Sequence, residues 1–225
     1  MNKLSSRLIS VASFVDEKDR GLIDIGCDHG LLSIFLAKKY DSLKIIASDI
    51  NENALNGAIS NIKKNGFENK IETRLGKGLD VLKKDDDIDT IVICGMGANT
   101  IVGMLKYSVE KLSKINKIII QSNTDLYFLR KNVTGIGYYI EDEILVKDKG
   151  IIYTIILFKK GRKKYNYKEL YLGPILIKKQ DELFVEKNRK ELDSLKMILK
   201  NIRDGHYLYK LRLKKKIKIL ESIFL

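Results

Sequence analysis

The amino-acid sequence predicts an α/β fold, a doubly wound and mainly parallel seven-stranded sheet followed by an α-helical hairpin. Three observations predict it. Short apolar runs alternate with amphipathic stretches through the first 158 residues, the β-α-β rhythm of a parallel sheet. Two of those runs, TIVIC at 90–94 and KIIIQ at 117–121, are apolar almost throughout, as strands covered on both faces must be. Beyond residue 178 the apolar residues change to helical spacing and hold it.

In chain order, strands are expected over 21–25, 44–48, 71–75, 90–93, 117–121, 139–146 and 151–159. Helices over 5–14, 31–39, 51–64, 99–112 and 126–132 fill the intervals. Only VKDKG separates the last two strands, so they read as an antiparallel hairpin at one edge. Five parallel strands and a terminal hairpin make the Rossmann-like class I outline shared by many S-adenosyl-L-methionine (SAM) enzymes. The segment YLGPILI holds the single proline, Pro174, and reads as an extended crossing. Leu192, Leu195, Leu199 and Ile202 then repeat at helical spacing, Asp204-Gly205 breaks the pattern, and Tyr209, Leu213, Ile217, Leu220 and Phe224 resume it. Two amphipathic helices around a tight turn give an antiparallel, coiled-coil-like hairpin with these residues in its seam.

Composition bounds the function. With 44% apolar residues in 225, the chain can bury a core, which excludes a wholly disordered protein. No apolar run approaches the roughly 18 residues that cross a bilayer, and the first residues lack the apolar stretch of a secretory signal. Cys27 and Cys94 make no disulfide framework, and with His29 and His206 they are too few for a structural zinc site. A cytoplasmic, monomeric protein without metal or membrane partner is therefore expected. The net charge of +13 is unevenly placed. Residues 1–158 hold 22 basic and 21 acidic side chains, net +1, whereas residues 159–225 hold 20 against 8, net +12. Codon bias enriches lysine but does not concentrate it at one end. The asymmetry divides the chain into a near-neutral body over 1–158 and a basic helical attachment over 159–225, aimed at a polyanion.

The stretch LIDIGCDHGLLSIFLAKK reads as strand, sharp turn and helix. Gly26 and Gly30 permit close backbone approach, and Asp49, about twenty residues on, ends the second strand where a carboxylate grips ribose hydroxyls. An adenosine-containing cofactor is implied. A pyrophosphate wants bare amides, yet Asp24 and Asp28 flank this turn. Two carboxylates repel a diphosphate and suit a sulfonium and an ammonium, so SAM is favoured over NAD. Gly76-Lys77-Gly78 after the third strand is expected to pass the adenine, and Cys94-Gly95-Met96 to border cofactor and methyl acceptor. The Asn/Asp-Pro-Pro-aromatic motif usual in exocyclic-amine methylation is absent, which counts against N6 chemistry.

The blocks LSSRLISVASFV, LIDIGCDHGLLSIFLAKK, VICGMGANTI, IIIQSN, IYTIILFKKG and LYLGPILI, in this order, resemble the bacterial tRNA (adenine-22-N1)-methyltransferases of the TrmK type. Where that family has Gln-Pro-Asn this chain has Gln121-Ser122-Asn123, and its CDHG and GMGA depart slightly from the family's usual forms. The resemblance implies methyl transfer from SAM to N1 of a tRNA adenine. Alternatives on the same fold are another SAM-dependent RNA N-methyltransferase and a non-catalytic RNA-binding protein. N1 carries an in-plane lone pair, so attack needs no prior deprotonation and the product base is cationic. Catalysis is then positioning plus stabilisation of developing positive charge.

On that reading Asp28 accepts a hydrogen bond beside cofactor or base, with helix N-capping as its alternative role. His29 touches the base or its phosphate, Arg7 reaches a phosphate or closes the pocket, and Asn123 orients the base or caps the next helix. Tyr153 is read as packing. Lys210, Arg212, Lys214, Lys215 and Lys216 are the candidate RNA contacts on the attachment.

Overall fold

A computed structural model describes residues 4–202 and 205–224, and they fall into two compact units, one ending at Ile175 and the other beginning at Leu176. In the first unit the order is α1 (Ser6–Ala12), β1 (Gly21–Ile25), α2 (Leu31–Lys39), β2 (Lys44–Asp49), α3 (Glu52–Lys64), β3 (Ile71–Leu75), β4 (Thr90–Met96), α4 (Ala98–Tyr107), β5 (Lys117–Ser122), α5 (Leu126–Gly135), β6 (Tyr138–Asp148), β7 (Ile151–Lys160) and α6 (Tyr167–Leu172). The strands form one seven-stranded sheet in the order β3-β2-β1-β4-β5-β7-β6. Five are parallel, and β7 runs antiparallel to both β5 and β6.

Side chains alternate between the two faces, and each face is covered by helices. Ile23, Ile91, Ile93, Ile118 and Ile120 pack with Ile101 and Leu105 of α4 and Leu129 and Val133 of α5. Leu22, Val92 and Ile119 pack on the other side with Val11 of α1, Leu36 of α2, and Leu55, Ala58 and Ile62 of α3. The chain builds outward from β1 to β2 and β3, then returns to add β4 on the opposite side of β1. That reversal opens a crevice at the carboxyl ends of β1 and β4, the usual ligand position in such sheets.

The edge hairpin turns through Lys149 and Gly150, both at positive φ (49° and 81°), between the paired Asp148 and Ile151. Two positive-φ residues match the right-handed twist of the flanking strands. Gln121 pairs with Ile155 and the ladder of β6 and β7 continues to Ile151, so this hairpin overhangs the carboxyl edge of β5.

YLGPILI is not an extended crossing. Asn166 caps α6 through a reciprocal capping box with Glu169, which satisfies two orphan N–H groups at once. Gly173, at φ +100°, ends that helix, and α7 (Leu176–Lys179) follows within the second unit. The packing boundary at 175/176 also differs from the charge boundary at 158/159. The Tyr165 hydroxyl accepts from Ile140 N–H (2.9 Å), and Arg130 Nη1 donates to the Leu170 and Tyr171 carbonyls (both 3.1 Å). Glu143, bonded to Arg130 Nε at 2.7 Å, accepts from Ile175 N–H at 3.1 Å. The fully buried Arg130–Glu143 pair thereby ties 165–175 to the sheet.

The second unit contains α7, α8 (Glu182–Asn201) and α9 (Tyr207–Glu221). Leu192 of α8 and Leu213, Ile217 and Leu220 of α9 are buried, as the helical repeat predicts. Tyr209 is not in the seam: it is 49% exposed, because burial along α9 begins only at Leu213. Gly205 lies in the turn, whereas Asp204 is outside the described residues. No helix among the described residues is long and apolar enough to cross a membrane.

Candidate active site

At the end of β1 the backbone N–H groups of Gly26 and Cys27 both donate to the Ser48 carbonyl (2.8 and 3.0 Å), swinging the loop across the end of β2. Gly26 sits at φ +74°, where an added Cβ would lie 2.5 Å from the Met96 methyl. Gly30, at φ +68°, starts α2 with no side-chain cap, and a Cβ there would press on Ala58 of α3. Both glycines are thus required by conformation and by close approach. Asp28 lies between them at φ +50°, a left-handed conformation that Asp tolerates better than most residues. Capping of α2 by Asp28 is therefore not its role. Its backbone N–H instead donates to Asp49 Oδ2 at 3.1 Å, and its carboxylate is 3.7 Å from the exposed His29 ring. Asp49 Oδ1 accepts from Asn51 N–H at 2.9 Å, so the carboxylate ending β2 clamps the glycine loop to the start of α3. A carboxylate has about four acceptor sites, which leaves others for hydroxyls.

Beneath the loop Asp24 is buried and accepts from Ser33 Oγ at 2.8 Å. Burial pushes its carboxyl up to about 6; the Ser33 bond opposes the rise and the Asp49 charge adds to it. Burial likewise raises Cys94 to about 12, and raises Cys27 with help from the Asp24 charge, so neither thiol is a ready nucleophile.

On the other wall, the β4–β5 register shifts at Gly95, a bulge with φ +78°. Bulges free backbone groups from the ladder, and here two side chains of β5 and the loop after it collect them. Gln121 Oε1 accepts from Gly95 N–H (3.1 Å) and from Arg7 Nη1 (2.7 Å), while its Nε2 donates to Asn123 Oδ1 (2.9 Å). Asn123 Nδ2 in turn donates to the Gly95 carbonyl at 2.7 Å. Capping of α5 falls to Asp125, which accepts from Phe128 N–H, and not to Asn123. The Arg7 guanidinium lies 5.3 Å over the Tyr153 ring, so Tyr153 supports a cation as well as packing.

These walls enclose two adjoining lobes. The larger, about 490 Å³, lies between Asp49, Ile50, Gly76-Lys77-Gly78 and the α4 residues Met104 and Tyr107. The smaller, about 360 Å³, is lined by Arg7, Asp24, Asp28, His29, Asp49 and Cys94-Gly95-Met96. Gly26, Asp49 and Met96 border both. The shared border accommodates an elongated molecule that has an adenosine end among apolar walls and a cationic end beside carboxylates. SAM has that chemistry. Every expected cofactor residue except Gly30 lines one lobe or the other.

Asn123 lines neither lobe; its amide holds the bulge. The five expected RNA contacts lie on α9 in the second unit, with Arg212, Lys214 and Lys215 exposed and Lys210 and Lys216 partly buried. Asp80, Asn99, Thr100 and Tyr107 also line the larger lobe, and Gln121 anchors the smaller one. Asp80 had a signal in its place just after the glycine pair. Asn99 and Thr100 open α4 just after the Gly-Met-Gly-Ala turn, which is their signal, whereas Tyr107 at the end of that helix had none. Among the described residues no group of His, Cys, Asp and Glu is placed to hold a metal.

A family model described as tRNA (adenine(22)-N(1))-methyltransferase matches residues 22–222. The Bacillus subtilis tRNA (adenine(22)-N(1))-methyltransferase is 29% identical over 206 residues, 89% of this chain and 86% of that protein. A Streptococcus pneumoniae structure solved in complex with SAM superposes with a TM-score of 0.91 at 29% identity, covering 99% of this chain and all of the other. The M. capricolum TrmK structure, bound to S-adenosyl-homocysteine, superposes with a TM-score of 0.87 at 29% identity, covering 97% and 96%.

Proposed function

The chain belongs to the tRNA (adenine(22)-N(1))-methyltransferase family and transfers a methyl group from SAM to N1 of adenine 22 in tRNA, and we propose that the two-lobed crevice is where it does so. Asp49, Ile50 and the Gly76-Lys77-Gly78 turn would hold the adenosine part, and Asp24 with the Gly26–Gly30 loop the charged amino-acid end. When bound, SAM supplies an electrophilic methyl group on a sulfonium. The chain supplies placement and field.

N1 needs no base, so the group to look for is one that favours a cation rather than one that removes a proton. Asp24, Asp28 and Asp49 place three carboxylates around the smaller lobe. Asp28 is the most exposed of them and accepts from the exocyclic N6 amine. That bond strengthens as the ring becomes cationic, since a charge-assisted bond is about twice as strong as a neutral one. His29 is held beside Asp28 and faces the same lobe. Arg7, fixed by Gln121 and Tyr153, supplies the positive charge on this wall for a backbone phosphate of the same nucleotide or its neighbour. Asn123 positions the wall through Gly95. N1 lies on the Watson–Crick edge, so the adenine enters unpaired or flipped. The basic α9, with Lys210, Arg212, Lys214, Lys215 and Lys216, contributes affinity for the tRNA backbone.

The observation that carries the reading is the acidic lobe joined to an adenosine-sized lobe at the topological switch point. Unmodified tRNA incubated with the protein and SAM should yield 1-methyladenosine at position 22, read by nucleoside mass spectrometry and positional mapping. Asp28→Ala should remove at least 100-fold of that activity with the melting temperature within a few degrees, about the size of removing one charge-assisted transition-state hydrogen bond. A different methylated nucleoside would refute the target, and full turnover by Asp28→Ala would refute the role of Asp28.

A further inference from the structure

α9 carries an apolar surface that its own hairpin does not use. At 3.6 residues per turn, Leu213, Ile217 and Leu220 lie on one face and are buried. Tyr207, Leu208 and Leu211 lie about half a turn away from them and are exposed, Tyr207 and Leu208 at 71% each. The same outward face continues into Lys214, Lys215 and Lys218, with Arg212 at its border. Lys196 of α8 pairs with Glu221 at the last turn of α9, and Arg189 lies over the ring of Phe224 just beyond it. Burial on α9 begins at Leu213, and Tyr207, Leu208, Tyr209 and Leu211 before it are exposed.

An exposed Tyr-Leu-Leu face of this kind marks a binding surface. The charge around it selects the occupant. α9 has six Lys and Arg against the single acid Glu221, so a second copy of the same face would be repelled and a polyanion attracted. Aromatic side chains interleaved with cations are the surface on which unpaired nucleotides stack while their phosphates are neutralised. We propose that the outward face of α9 around Tyr207, Leu208 and Leu211 is a stacking platform for unpaired bases of the tRNA substrate, beside the phosphate contacts of Arg212, Lys214 and Lys215. This rests on tRNA being the substrate. It adds that the arm reads single-stranded loops by stacking, where lysine contacts alone would hold any duplex.

The chain contains no tryptophan, so Tyr207→Trp installs a sole indole at the platform. Titration of Tyr207→Trp with unmodified tRNA should quench its fluorescence with a Kd within about threefold of the unaltered protein, and a duplex RNA of equal length should bind without quenching. Tyr207→Ala with Leu208→Ala should weaken tRNA binding by roughly 5- to 150-fold, the range for one stacked base. The slope of log K against log[salt] should not change, because no charge is removed. Tyr207→Phe should restore affinity. tRNA binding with no quench, or an affinity loss accompanied by a shallower salt slope, overturns the platform while leaving the substrate intact. Failure of the unaltered protein to bind tRNA removes the substrate reading as well. A dimer in sedimentation that Leu208→Ala and Leu211→Ala dissociate, with tRNA affinity unchanged, makes the face a self-association surface and also overturns the proposal.

Discussion

Replacing Gln121 with leucine separates the wall of the smaller lobe from the rest of the fold. Leucine is close to glutamine in volume, so the cavity contribution is small and the loss is that of hydrogen bonds. Gln121 is fully buried and makes three: from Gly95 N–H, from Arg7 Nη1, and to Asn123 Oδ1. The two neutral bonds are worth about 1 kcal/mol each, and the bond from the guanidinium about 1.5–3 kcal/mol. Arg7 is only half-buried and can turn to water, which takes back part of its share. The balance is a destabilisation of about 2–4 kcal/mol, or about 5–15 °C in Tm for a chain of this size.

The kinetic effect should exceed the structural one. With Gln121 gone, Arg7 and the Gly95 bulge lose a common anchor, so kcat/KM for tRNA should fall at least tenfold and SAM affinity by less, since on the proposed reading Asp24 and Asp49 on the opposite wall also hold SAM. A double-mutant cycle with Arg7→Ala checks the connection. Arg7→Ala alone should cost activity, and Gln121→Leu added to it should cost clearly less than it does alone, a coupling of about 1–2 kcal/mol. Thermal unfolding and steady-state kinetics at saturating SAM read both quantities. A Gln121→Leu protein that melts within 2 °C of the unaltered one, or a coupling below about 0.5 kcal/mol, would refute the network as the anchor of this wall.

Three further predictions concern charge. Burial lifts Asp24 from an ordinary 3.8 to about 6, so the folded chain binds this proton more tightly than the unfolded one. Its contribution to the stability of the ligand-free protein therefore falls as pH rises from about 4 through about 6, by up to about 3 kcal/mol. A cationic cofactor favours the ionised carboxyl, so SAM affinity measured by calorimetry should weaken below pH 6 by up to tenfold per unit. Asp24→Asn should lower SAM affinity at pH 7.5 and remove most of that slope; an unchanged slope would assign it elsewhere. Replacing Lys210, Arg212, Lys214, Lys215 and Lys216 together by glutamine should weaken tRNA binding and flatten its salt dependence by roughly 0.9 for each phosphate no longer neutralised. An unchanged slope would remove α9 from the RNA interface. Arg130→Met removes the guanidinium that faces the buried Glu143 carboxylate and should destabilise the protein by about 3–5 kcal/mol, a loss that urea unfolding would register and that a near-neutral result would contradict.

The parts of the fold legible in the sequence are those where one local rule decides. Strands such as Lys117–Ser122 are buried on both faces and cannot be mistaken for amphipathic helix. Gly26, Gly30 and Asp49 are legible because a turn of that shape and a carboxylate at that distance follow from strand and helix lengths. Asn166 and Glu169 carry a capping signal that the basic surroundings obscure, and without it YLGPILI reads as extended chain although its first two residues end α6. Tyr209 continues the seam spacing but lies ahead of the first buried position on α9, where spacing alone cannot say that packing stops. Gln121 stands out in the sequence only as part of a motif. A polar residue at a strand end has no pattern of its own, and its importance comes from a bulge on the neighbouring strand. Asn99 and Thr100 stand at the crevice because they open α4 directly after β4, whereas Tyr107 reaches it only through the course of α4, which periodicity does not encode.

The uneven charge follows from the chemistry of the site. A cofactor that is itself a cation, and a product base that becomes one, call for carboxylates, and Asp24, Asp28 and Asp49 concentrate them in one lobe. The same carboxylates repel a nucleic-acid backbone. Strong basicity close to the lobe would attract the RNA but would also pair with the carboxylates and cancel the field that stabilises the cation. One guanidinium, Arg7, stands on this wall, bonded to Gln121 and lying over the Tyr153 ring. The remaining attraction for a polyanion has to come from elsewhere in the chain. On the proposed reading the near-neutral stretch 1–158 holds the carboxylates, and the surplus of +12 follows it, partly on residues 159–175, which belong to the first unit, and partly on the second unit. On this account, adding lysines beside Asp28 would tighten tRNA binding while slowing the chemical step, whereas adding them to α9 would tighten binding alone.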